Sequence, residues 1–201
     1  MPPGVNGDCS AGVVEALDAR DMVRVNNLVA RGARVACVAT SRRLETAVRD
    51  RRINDLRLLL EGGADPNLDT GEFLGYPDLV ALALEHRNEH GFGLAAARIL
   101  LSHGASPNRR MTYQRGLHTR RADDSGQPYQ AYDVELFNAT LLIVAALEGN
   151  VEVVRLLLEF NADRSAQDSK SRTALDYARD QNHADVVALL TRAQAGPRRA
   201  G

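Results

Sequence analysis

Apolar residues fall into short runs of helical spacing, separated by turns of Gly, Asn and Pro. The clearest run begins Thr140-Leu-Leu-Ile-Val-Ala-Ala, turns at Gly149-Asn150, continues through Val153, Val154, Leu156, Leu157 and Leu158, and stops at Asn161. Recurrence every three to four positions predicts two amphipathic helices joined as a hairpin. Such a hairpin cannot cover its own apolar faces, so it needs a copy of itself on each side.

Copies are present. Thr173-Ala-Leu-Asp-Tyr-Ala answers the Thr140 segment 33 residues later, and Val186-Val187-Ala-Leu189 answers Val153-Val154-Arg-Leu156. Earlier in the chain, helical runs are expected at residues 13–17 and 22–29, at 44–48 and 53–60, and at 79–84 and 94–101. Their second members stop at Gly32, Gly63 and Gly104, and the last two stops read Gly-Ala-Asp-Pro-Asn67 and Gly-Ala-Ser-Pro-Asn108. Asn161 stands where those glycines stand, and Asn182 stands one period after Gly149. Both residue types tolerate the left-handed backbone that ends a helix, which predicts shared turn geometry.

A period of 33 with a Thr-x-Leu-x-x-Ala opening and a Gly-Ala-Asp-Pro-Asn ending resembles the ankyrin repeat. The resemblance implies an all-α chain: an ankyrin-repeat solenoid of about five helix-turn-helix repeats, with fingers projecting from the stack and one long inserted loop. The repeats are expected at residues 11–41, 42–73, 74–108, 138–169 and 171–192, inside a domain at 11–192. A flexible leader at 1–10 and a disordered tail at 193–201 flank it. The insertion at 109–137 shows no helical period and is read as a loop. In the third repeat Gly75-x-Pro-Asp-Leu79 stands for the opening, with a register open to a slip of one. The family's Pro after Thr is replaced by Leu141 and Ala174, and its His by Ile143 and Asp176. Loss of the Pro that fixes the first helical turn predicts lower stability than an idealised array.

Composition narrows the function. Net charge is −1, from 25 basic and 26 acidic residues, so no overall attraction to nucleic acid or an acidic membrane is expected. Aromatics are 4% of the chain with no Trp, which leaves Leu, Val and Ala to build the core. Cys9 and Cys37 form no disulfide framework. The first residues lack a secretory pattern and no apolar run reaches the ~18 residues of a membrane span, so a soluble intracellular monomer is expected.

Repeats of this resemblance imply a module that holds another protein, without catalysis or cofactor; the alternative is an adaptor or regulatory subunit that recruits its target to another complex, for which the short tails show no recruitment motif. The insertion carries the main candidates for contact: Arg109, Arg110, Tyr113, Arg115, Arg120, Arg121, Tyr129 and Tyr132. Tyr and Arg offer large area with a polar handle. Residues 109–121 hold five Arg and no acid, and residues 122–138 hold four acids and no base. The two halves could equally pair with each other in a solvated loop. Nucleic acid contact through Arg and Tyr is disfavoured by the acidic half. Fingertip candidates are Arg42, Arg43, Phe73 and Tyr76. His86-Arg-Asn-Glu89-His90 spells a zinc-peptidase pattern, but Gly91-Phe-Gly93 ends any helix there and no third ligand is near, so no metal is expected. Asn67 and Asn108 lie eight residues after Leu59 and Leu100, a spacing similar to that of hydroxylated ankyrin asparagines. The preceding Pro66 and Pro107 depart from that pattern, and tying a finger by hydrogen bonds is the expected role. No nucleophile with a base, phosphate-cradling loop or carboxylate pair suggests an enzyme.

Overall fold

The computed structural model describes residues 12–19, 21–33, 38–67, 78–85, 91–120 and 129–192. It divides into two compact units, Met1–Ser106 and Pro107–Gly201. The first holds α1 (Val13–Asp18), α2 (Met22–Ala30), α3 (Val38–Arg49), α4 (Ile53–Glu61), α5 (Leu79–Glu85) and α6 (Phe92–Ser102). Consecutive helices pair, α1 packs on α3 and α3 on α5, and α2 packs on α4 and α4 on α6. The second unit holds β1 (Arg110–Arg120), β2 (Tyr129–Thr140), α7 (Leu141–Leu147), α8 (Val151–Glu159), α9 (Ala174–Asp180) and α10 (Ala184–Arg192). There α7 packs on α8 and α9, and α10 on α8 and α9. Within each unit this stacking fits an ankyrin solenoid.

Small residues let the helices approach closely. Ala16, Ala47, Ala83, Ala97, Ala146 and Ala178 are buried to 1% exposure or less, beside fully buried Leu44, Leu56, Leu100, Leu142 and Leu157. Each such Leu contributes about 1.5–3 kcal/mol by leaving water. Every residue of α5 from Leu79 to Leu84 is buried, which suits a helix that is apolar all round.

The turns repeat atom for atom. At the stops after the second helices, Ala33, Ala64, Ala105 and Ala162 each donate their N–H five residues back, to Leu28, Leu59, Leu100 and Leu157. Between paired helices, Asp21, Arg52, Asn150 and His183 donate in the same way to Ala16, Ala47, Ala145 and Ala178. Such a bond goes with a left-handed residue just before the donor, and at seven of these eight turns that residue is described. That residue has φ of 84° at Gly32, 88° at Gly63, 91° at Gly104 and 60° at Asn161. It has φ of 69° at Gly149, 58° at Asn182 and 57° at Arg51. The Gly/Asn exchanges therefore mark shared geometry, as expected, and Arg51 takes the same conformation without a Gly or Asn.

Helix starts follow side-chain chemistry. Thr140 accepts from the Ile143 N–H, and Thr173 forms a reciprocal capping box with Asp176. Before α5, Asp78 accepts from the Val80 N–H at 2.9 Å and so caps that helix with a side-chain oxygen as Thr140 and Thr173 cap α7 and α9.

One expectation needs correction. The chain is mostly helical but not all-α, because much of the insertion at 109–137 is not an irregular loop: β1 and β2 pair antiparallel, with Arg120 opposite Tyr129 and Arg110 opposite Thr140. The period is two, not 3.6: Tyr132, Val134 and Leu136 alternate with Asp133, Glu135 and Phe137. A shift in register between Met111 and Tyr113 sets Phe137 and Asn138 against Thr112 alone, and Asn138 has φ of 57°.

Candidate functional site

The hairpin takes the place of a finger, between a second helix and the first helix of the next pair. Its base is seated on α7 by apolar burial of Met111, Leu136 and Ala139. Above them one carboxylate fixes β1. Glu148, at the turn after α7, accepts from the Tyr113 hydroxyl at 2.7 Å and from Arg115 Nη1 at 2.5 Å. The Arg115 side chain stays 47% exposed and Glu148 is 19% exposed, so this is a charge-assisted clamp at the edge of water. Gly149 beneath it admits the next repeat: a Cβ there would lie 2.6 Å from the His183 ring, whose Nε2 lies 3.1 Å from the Leu147 carbonyl oxygen.

A second set of bonds ties the hairpin to the finger at residues 161–173. Arg110 Nη1 donates to the Asn138 and Gln167 carbonyls at 2.9 and 2.5 Å, and the Ser169 N–H donates to the Phe137 carbonyl at 3.0 Å. Asp163 lies near Arg110. Its carboxyl is held below the usual range first by hydrogen bonds from Ser165, with the guanidinium adding to the effect and burial opposing it. Phe137 remains 47% exposed above this junction.

Both asparagines singled out in the sequence bridge fingers. Asn67 donates to the Gly104 carbonyl and accepts from the Ser106 N–H, each at 2.8 Å. Asn108 accepts from the Asp163 N–H at 2.8 Å, which is the same bond one repeat later.

Of the contact candidates, Arg110, Tyr113 and Arg115 are brought together at the hairpin base and are bonded within the chain. Arg109 and Arg43 are half-buried. Arg120, Tyr129 and Tyr132 lie on the paired strands, but their side chains, like that of Arg42, lie outside the described residues. Phe73, Tyr76, Arg121, the His86 to His90 segment, Cys9, Cys37, the leader and the tail also lie outside them. Of the four acids in the acidic half only Glu135 has a described side chain, and it accepts from Gln114 at 2.6 Å, while Arg115 turns to Glu148. Glu148 was missed because its partners stand 33 and 35 positions away, beyond any local pattern. Among the described residues no three His, Cys, Asp or Glu side chains are grouped to hold a metal, and no helix is long and apolar enough to cross a membrane.

Residues 122–198 match the family model described as ankyrin repeats (3 copies). No curated protein matches the chain.

Proposed function

Proceeding from the ankyrin repeats of residues 122–198, a family whose members generally bind other proteins, we propose that this chain is a non-catalytic module that holds a partner protein on its fingers, its inner helices and the hairpin of residues 109–137. The repeat layout at 11–41, 42–73, 74–108, 138–169 and 171–192 belongs to this reading. So do a monomeric state and contact through Arg109, Arg110, Tyr113, Arg115, Arg120, Arg121, Tyr129 and Tyr132, with Arg42, Arg43, Phe73 and Tyr76 on other fingers.

The observation that carries the reading is the hairpin's anchorage. Met111, Leu136 and Ala139 are buried and Glu148 clamps Tyr113 and Arg115, so the strands beyond are held out from a fixed base. A preordered projection loses little freedom on binding, which raises affinity for a given contact area. Arg110, Tyr113 and Arg115 serve this reading chiefly by fixing that base.

The test replaces residues 117–132 with Asn-Gly, a turn that suits a two-residue hairpin, and leaves the anchored base in place. Proteins captured by the full chain should bind the shortened one at least tenfold more weakly, about 1.4 kcal/mol, with thermal unfolding unchanged. Capture of every partner at full affinity by the shortened chain would overturn the hairpin's role. Capture of RNA or single-stranded DNA in place of protein would overturn the partner class.

A further inference from the structure

The chain holds five Arg-Arg pairs, and the residue two places after each pair is Glu45, Asn54, Thr112, Asp123 or Gly201. Only the pair Arg109-Arg110 therefore precedes a hydroxyl at that spacing. Kinases that choose basic substrates place acids in the peptide groove, so two arginines just before a Thr are the charge pattern they read. Thr112 is exposed near the start of β1, where the chain is already extended. It stands opposite the bulge formed by Phe137 and Asn138, where the ladder of backbone bonds is broken. Its side chain shares a face of the strand with Arg110, two positions back. Arg110 is the latch between hairpin and finger: its Nη1 donates to the Asn138 carbonyl at 2.9 Å and to the Gln167 carbonyl at 2.5 Å.

Going beyond the protein-holding reading, we propose that Thr112 accepts a phosphoryl group from a kinase that reads Arg109 and Arg110, and that the phosphate releases the hairpin from the finger at residues 161–173. Reading both arginines requires the first residues of β1 to lift away, a local opening that the broken ladder favours. In the transfer, the bond from the terminal phosphorus of ATP to its bridging oxygen breaks as that phosphorus bonds to Thr112 Oγ1. The hydroxyl proton passes to the kinase's catalytic carboxylate, and ADP leaves. The product carries about two negative charges beside Arg110. Arg110 holds two neutral carbonyls, and a charged phosphate oxygen is the stronger acceptor, so the guanidinium turns to the phosphate. Asp163, which lies near Arg110, is repelled by the same charge. With Arg110 withdrawn, the bond from the Ser169 N–H to the Phe137 carbonyl loses its neighbour, and the foot of the hairpin stays loose.

The folded full chain is incubated with Mg-ATP and a purified kinase of that preference, beside Thr112→Val and Arg110→Gln. One phosphate per chain is expected, on Thr112. Thr112→Val should take none, and Arg110→Gln should be labelled about tenfold more slowly, although that change also frees the foot. Amide exchange at Ser169 and within residues 110–115 should then quicken about tenfold in the phosphorylated chain. Phosphate on another residue, equal labelling of Arg110→Gln, or a folded chain left unlabelled, whether or not a peptide of residues 107–116 is labelled, would overturn the site. Labelled Thr112 with exchange unchanged would overturn the release. Proteins captured by the full chain should bind the phosphorylated one about tenfold more weakly. If labelling and loosening occur and every captured protein keeps its affinity, the site stands and the hairpin's part in binding falls. If labelling fails while the shortened hairpin still loses its partners, only this inference falls.

Discussion

The finger at residues 161–173 and the hairpin at residues 109–140 occupy equivalent places in the repeat, yet they satisfy their polar groups by different routes. The finger closes around Asp168, which is 5% exposed and accepts from the Tyr177 hydroxyl at 2.5 Å and from the N–H groups of Lys170 and Arg172 at 2.9 and 3.0 Å. Burial pushes its carboxyl up, but these donors together outweigh burial and hold it below the usual range. Arg172 then lies 4.1 Å over the Tyr177 ring and pairs with Asp180. Among its described residues the hairpin has no such centre. Its backbone groups pair with each other, and its attachment depends on Glu148, more than thirty positions away from the side chains it holds. A buried acid makes a short connection rigid from within, whereas a ladder of backbone bonds allows a connection to grow and be fastened only at its foot.

Four measurements sharpen that contrast. The largest effect is expected from Asp168→Ala, which strands the Tyr177 hydroxyl and two N–H groups: about 3 kcal/mol of stability should be lost in urea unfolding, with amide exchange in β1 unchanged. A shift of protection to β1 would mean that the two connections are coupled. Next comes alkali. Desolvation first, and the hydrogen bond to Asp168 second, push Tyr177 from 10.0 up to about 12. The folded value is the higher one, so its contribution is intact below pH 10 and is lost as pH rises from 10 to 12. Tyr177→Phe should lack this alkaline limb of stability, and a limb that persists unchanged in the variant would assign it to another group.

Gly149→Ala should cost about 2 kcal/mol, from left-handed strain together with contact against His183. Because that turn carries Glu148, β1 amides should also exchange faster. Glu148→Ala is the smallest: about 1 kcal/mol of stability, with faster exchange confined to the strand around Tyr113 and Arg115. Equal loosening at residues 161–173 would show that the clamp is not specific to the hairpin.

What could be read from the sequence follows the same division. Helix pairs and turns were legible because each depends on residues a few positions apart: the five-residue bonds to Leu28, Leu59, Leu100 and Leu157 need only a Gly or Asn in the right place. Arg51 broke that rule, holding a φ of 57° without being Gly or Asn. Tyr132, Val134 and Leu136 alternate with Asp133 and Glu135 in a strand period, but that run is short and the rest of the insertion does not continue it. The clamp and the junction between hairpin and finger were not legible, because spatial proximity across 28 to 57 positions leaves no mark on either segment alone. Asp176 looked like a lost family His, and it instead completes the cap on Thr173.

Asn108 enters the strands' base from one side and binds the Asp163 N–H on the far side of the whole insertion. That single bond short-circuits the detour. The Glu148 clamp lies on the hairpin and the bond from Asn108 to Asp163 lies below it, so the two do not share a residue. The projection can therefore be lengthened or trimmed over generations, as a mast is re-rigged, without re-laying the deck on which it stands.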